Sequence, residues 1–253
     1  MKYYSDLVSL RVFSLNDLFK IIGNKTNAKS YIARMCKSDK IRRIKKNLYS
    51  VIDLYDKTDL ASAFVIASHI NDNSFVSYHS AFEFYGFYNQ TYTEMQVSST
   101  NKFSNFEYGD YYYHCYISKI DKQIDLVKGV KVTSLERTIV DSINMLGKVM
   151  DVEELVKCLD FVQYLNAEKI KEMLLEYNID LLYRKVGYVL SFYKNIKGIN
   201  DDFFQFCKNK SNIKNFGAIS YGEMRQLEFV SEWGIYAFKN LKVLTNKGEN
   251  ENV

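Results

Sequence analysis

The chain has 253 residues, 47% hydrophobic and 15% aromatic, enough for one large domain or two small ones with a buried core, which excludes disorder except at the tail 246–253. Its net charge of +4 is unevenly held: residues 1–52 contain 12 of the 34 Lys and Arg but only 3 of the 30 Asp and Glu, a net +9 that leaves −5 for residues 53–253. The longest nearly apolar run, 61–70, is far shorter than the roughly 20 residues of a spanning helix, and the N-terminus lacks a signal-peptide pattern, so a cytoplasmic protein with no membrane partner is expected.

In chain order, Ser14 precedes an i, i+3, i+4, i+7 stripe of Leu15, Leu18, Phe19 and Ile22, with Asp17 placed for a variant capping box. Phe13 and Leu18 can staple that helix start, and Gly23 supplies its left-handed stop. A second helix follows, capped by Asn24 or Thr26, with Ala28, Tyr31, Ile32 and Met35 as its apolar stripe. Two short amphipathic helices joined by a tight turn make a helix-turn-helix pattern. On the second, a step of about 100° per residue puts Thr26, Ser30, Ala33 and Lys37 opposite the stripe, and Asn27, Lys29 and Arg34 on its flanks. Such a small, polar, basic face suits a helix entering a major groove. Two strands around Lys45-Lys46-Asn47 then predict a hairpin with Arg42, Arg43, Lys45 and Lys46 near its tip, the wing of a winged helix. Tyr4, Leu7 and Val8 can face inward from an opening helix. Thr26, Asn27, Lys29, Ser30, Arg34, Lys37, Arg42, Arg43, Lys45 and Lys46 are therefore candidate contacts to double-stranded DNA, against the plainer reading that they are the solvated face of a small core.

Beyond residue 52 the pattern predicts an apolar helix over 58–70 and a helix in the later part of 74–86, ending at Gly86. Strands are expected over 94–98, 103–108 and 111–118, the last two joined by a Gly109-Asp110 turn. A strand over 130–132 runs into Thr133-Ser-Leu-Glu136, a capping box for a helix over 135–146. Helices follow over 151–164, 167–177, 181–195 and 201–210, with strand pairs near 227–240. The expected fold class is α+β: a winged helix-turn-helix domain over 1–52, then an α+β domain over 53–253 that becomes mainly helical.

Candidate chemistry is sparse. His79, Ser80 and Glu83 share one helix but cannot form a relay, because adjacent side chains diverge by about 100°; Tyr78, His79 and Glu83 are expected in buried hydrogen bonds. Glu136 is expected to cap its helix, and Arg137 to pair with Asp141 at i, i+4. The cysteines (Cys36, Cys115, Cys158, Cys207) and histidines (His69, His79, His114) share no ligand spacing, which predicts buried thiols, no metal and no cofactor. There is no [Asp/Glu]-x-Lys of a restriction-type nuclease, no Gly-Ser upstream of Asp151-Val-Glu153 for nucleotidyl transfer, and no Walker or Gly-x-Gly-x-x-Gly loop. A non-enzyme is expected. The cluster 108–116 can stack on single-stranded RNA bases or pack on both faces of a strand; Trp233 reads as the core anchor of a late strand.

Five segments resemble the AbiEi-type antitoxins: Asn24-Lys-Thr-Asn-Ala-Lys-Ser30, Ile41-Arg-Arg-Ile-Lys-Lys-Asn-Leu-Tyr49, Tyr78-His-Ser-Ala-Phe-Glu-Phe-Tyr-Gly86, Val97-Ser-Ser99 and Val132-Thr-Ser-Leu-Glu-Arg-Thr-Ile-Val-Asp141. That family comprises winged-helix regulators of phage-defence toxin–antitoxin operons, and the resemblance spans roughly residues 10–165. It implies an N-terminal domain that binds and represses its own promoter, and a C-terminal domain needed for antitoxin action. It also implies a nucleotidyltransferase-like toxin countered without a tight complex. The short N-terminus departs from the pattern by abbreviating the first helix. The alternatives are a stand-alone winged-helix regulator without a toxin, and an enzyme that processes nucleic acid.

Overall fold

Short polar side chains set the first helix boundaries. Ser14 Oγ accepts from the Asp17 N–H at 3.2 Å while the Asp17 carboxylate accepts from the Ser14 N–H at 2.8 Å, the reciprocal capping box expected there. The helix it opens ends at Gly23, whose φ of +78° is the left-handed conformation glycine adopts without penalty. Asn24, rather than Thr26, caps the next helix, its Oδ1 accepting from the Asn27 N–H at 3.0 Å. The computed structural model describes residues 3–211, 217–220 and 227–244. Among these the chain forms ten α-helices and twelve strands, a mixed α+β fold. None of the described helices is long and apolar enough to cross a membrane.

Contacts divide the chain into two units, Met1–Val76 with Tyr92–Val132, and Ser77–Thr91 with Thr133–Val253. The first unit opens with α1 (Tyr4–Leu10), β1 (Val12–Ser14), α2 (Leu15–Ile22), α3 (Lys25–Lys37), β2 (Ile41–Lys45) and β3 (Leu48–Val51). The strands form an antiparallel sheet in the order β1-β3-β2. Leu7, Phe13, Leu18, Ala28, Tyr31, Ile32, Met35, Ile41 and Val51 make one buried cluster, so the apolar stripes of α2 and α3 close against the sheet.

The same unit continues through α4 (Ala63–Ser68), β4 (Ser74–Val76), β5 (Glu94–Ser99), β6 (Phe106–Tyr108), β7 (Tyr111–Ile117), β8 (Ile124–Val127) and β9 (Val130–Thr133). These strands form a six-stranded sheet in the order β6-β7-β5-β4-β9-β8, with β7 parallel to β5 and β6 turning back on β7 at Gly109-Asp110 as expected. The helix expected over 58–70 is confined to Ala63–Ser68. Local turns compete with it: Asp53 Oδ1 accepts from Tyr55 N–H and Asp56 Oδ1 from Thr58 N–H. Contacts cross the charge break at 52/53. Leu60 N–H donates to Val51 O at 2.9 Å, and Arg42 and Lys45 find partners beyond residue 52.

The second unit holds α5 (Tyr78–Tyr85), α6 (Leu135–Asn144), α7 (Val152–Asp160), α8 (Ala167–Tyr177), α9 (Asp180–Ser191) and α10 (Asp201–Lys210), with a small sheet of β10 (Gly217–Ala218), β11 (Glu228–Val230) and β12 (Ile235–Ala237). The capping box expected at 133–136 does not form. Thr133 belongs to β9 and its hydroxyl meets that of Thr138 at 2.7 Å, while Ser134 caps α6 by accepting from the Arg137 N–H at 3.2 Å. Glu136 instead accepts from the Asn166 N–H at 2.9 Å, at the start of α8. Trp233 is buried, but in the turn between β11 and β12 rather than in a strand. A Cβ on Gly187 would lie 2.2 Å from its ring, so α9 needs glycine at that position. The tail 246–253 lies outside the described residues.

Candidate nucleic-acid interface

The burial of α3 follows its sequence periodicity. Ala28, Tyr31, Ile32 and Met35 are buried, and Thr26, Asn27, Lys29, Ser30, Arg34 and Lys37 are all exposed. Thirteen residues make a rod of about 20 Å. The Arg34 guanidinium lies over the Tyr31 ring, 5.2 Å from its centroid, which orients its donors without removing them from solvent. Lys25, the first residue of α3, is exposed too. The sequence reading passed over it because the cap was open between Asn24 and Thr26.

The β2–β3 hairpin separates its four cations. Its turn is Lys46-Asn47, with Asn47 at φ +66° and its Oδ1 accepting from the Leu15 N–H of α2 at 3.1 Å. Lys46 and Arg43 are exposed. Arg42 pairs with Asp59 at 3.4 Å, and Asp59 also accepts from the Tyr108 hydroxyl at 2.7 Å. The Lys45 ammonium lies 5.0 and 4.5 Å from the ring centroids of Phe103 and Phe106, and burial lowers its pKa. Phe106 in turn stacks on Tyr113 at 4.8 Å. Lys45, expected near the tip as a phosphate contact, is therefore held by aromatic rings of its own chain. The two-sided packing expected of 108–116 is met on one face only: Tyr113 is buried, while Tyr112 on the opposite face is exposed.

The second group of singled-out residues is interior. Tyr78 opens α5 at φ +52° and is buried. His79 Nε2 meets Glu154 Oε1 at 3.0 Å, and Gln90 Nε2 donates to Glu154 Oε2 at 3.0 Å. Burial alone would push the Glu154 carboxyl up, but the His79 hydrogen bond and charge, with Gln90 and Lys157, outweigh it and hold it below its ordinary value. Burial raises Glu83 against the nearby His79. Arg137 and Asp141 form the expected i, i+4 pair, Nε to Oδ2 at 3.1 Å, and the Tyr177 hydroxyl donates to Asp141 Oδ1 at 2.7 Å. Burial raises the Asp141 pKa despite that arginine. The His79–Glu154 pairing escaped the sequence reading because 75 residues separate the partners.

No protein-family model matches the chain, and no curated protein matches it in sequence. Among solved structures it is similar to the RV2827C protein from Mycobacterium tuberculosis, with a TM-score of 0.67 and 13% sequence identity over 98% of this chain and 94% of that one. At that identity the likeness concerns the fold alone.

Proposed function

We propose that this protein is a DNA-binding antitoxin and autorepressor, with residues 3–52 acting as a winged helix. The observation that carries the reading is α3, whose exposed face is wholly small, polar or basic while its other face closes a core. Element order supports it: a helix and strand, two helices across a glycine turn, then a hairpin completing a three-stranded sheet. In such an arrangement the second helix of the pair enters the major groove and the hairpin follows the phosphates. Arg34, Asn27 and Ser30 are the candidates for base edges, and Lys25, Lys29, Lys37, Arg43 and Lys46 for the backbone.

The antitoxin role rests on the motif resemblance to AbiEi-type proteins. It assigns the partner as a nucleotidyltransferase-like toxin countered without a tight complex. The test has two arms. Full-length protein should bind DNA from its own upstream region more tightly than random duplex, and its expression should restore growth to cells making a toxin encoded next to it. Specific binding without rescue would leave a stand-alone regulator, and equal binding to both duplexes would remove the repressor reading.

A further inference from the structure

Three side chains that share no sequence motif converge between α5 and α7. His79 Nε2 lies 3.0 Å from Glu154 Oε1, and Cys158 Sγ lies 3.7 Å from the same oxygen. All three donor atoms fall within 4.8 Å of one another, and all three residues are buried. Among the described residues no other group of His, Cys, Asp and Glu side chains is arranged in this way. Glu154 and Cys158 stand one turn apart on α7 and so share a face. His79 is delivered by the start of α5, packed opposite.

We propose that His79, Glu154 and Cys158 form a binding site for a divalent cation of the zinc type. Imidazole nitrogen, carboxylate oxygen and thiolate sulfur are the three donors zinc accepts, and tetrahedral bonds of about 2.0–2.3 Å put neighbouring donors about 3.3–3.6 Å apart. The His79–Glu154 and Glu154–Cys158 separations fall on either side of that range, and the His79–Cys158 separation is within 4.8 Å, so ligation would need the first pair to open and the second to close by a few tenths of an ångström. Charge also balances. A dication, one thiolate, one carboxylate and a neutral imidazole sum to zero, which a buried site requires. Gln90 already holds the second Glu154 oxygen at 3.0 Å, the outer support that orients a ligating carboxylate.

Ligation by Cys158 would replace its S–H bond with a sulfur–metal bond and release that proton to solvent. The charged groups beside the ligands are Glu83 on α5, near His79, and Lys157 on α7, near Glu154. The three residues leave the fourth tetrahedral position of such an ion to a ligand from outside the cluster.

Cobalt(II), titrated into chelator-treated full-length protein, reports thiolate ligation through its sulfur-to-metal absorption. The expected result is one equivalent bound, a charge-transfer band, and displacement by zinc. Cys158→Ser should abolish the band, and the Cys36→Ser/Cys115→Ser double variant should keep it. Glu154→Gln preserves shape but removes the charge, and should weaken cobalt binding by more than about tenfold, since losing even an outer-shell partner costs 10–100-fold. Where Cys158→Ser fails to fold by circular dichroism, Glu154→Gln decides. Absence of the band in the native protein, its survival in folded Cys158→Ser, or unchanged affinity in Glu154→Gln would each overturn the site and leave a hydrogen-bonded cluster.

Discussion

The same side-chain chemistry is used in opposite ways in two parts of this molecule. On α3 and the hairpin, Lys29, Arg34, Lys37, Arg43 and Lys46 point into solvent. On α6 and α7, Arg137, Asp141 and Glu154 are buried and answered by groups of their own chain. An exposed cation keeps its hydration and is available to a polyanion, whereas a buried one must be paired internally or it destabilises the fold. The first region should therefore govern binding and the second stability, with little crossover.

The largest expected effect breaks the interior. Arg137→Ala strands the Asp141 carboxylate and should lower unfolding free energy by about 3–5 kcal/mol in urea denaturation. The double change Arg137→Met/Asp141→Leu should cost less than the two single changes combined. A loss below about 1 kcal/mol for Arg137→Ala would contradict the role assigned to the pair.

Arg34→Ala tests the opposite region. It should cost about 1–3 kcal/mol of discrimination between the upstream DNA and random duplex, while stability changes by no more than about 0.5 kcal/mol. Equal weakening on both duplexes would reassign Arg34 to a phosphate.

Lys45→Ala examines the residue that crosses between the two classes. Loss of its contacts with Phe103 and Phe106 should destabilise the protein by roughly 0.5–2 kcal/mol and leave DNA affinity unchanged.

The smallest effect is a pH dependence. The Glu154 carboxyl is held below its ordinary value, so it adds stability above the normal carboxylate range, and that contribution is lost as pH falls through its lowered value. Asp141 has the opposite sign: burial raises it, so its ionisation opposes folding and the opposition fades on acidification. Comparing native protein with Glu154→Gln in urea midpoints down to about pH 3 isolates the Glu154 contribution. A flatter acid limb is expected in the variant, and parallel limbs would remove Glu154 from the account.

What could be read in advance was what depends on neighbours within a turn or two. The Ser14–Asp17 box, the stripes of α2 and α3, the Gly109-Asp110 turn and the Arg137–Asp141 pair are set by local geometry. Glu136 shows where a local rule fails, since its spacing from Thr133 suggests a cap while the folded chain brings it to Asn166. Nothing near Lys45 in sequence announces Phe103 or Phe106, and nothing near Cys158 announces His79. β1 and β4 contain three residues each, too few for an alternation to register.

The most direct test is the salt dependence of full-length protein binding to its upstream DNA, followed by fluorescence anisotropy in native protein and two double variants. Arg43→Ala/Lys46→Ala removes the two outward hairpin cations and should flatten the log–log slope by about 1.8, at 0.9 per phosphate. Arg42→Ala/Lys45→Ala removes the two that the chain itself engages and should leave the slope within error of native. Equal slopes for all three proteins, or flattening only in the second variant, would contradict the assignment of the exposed face to DNA.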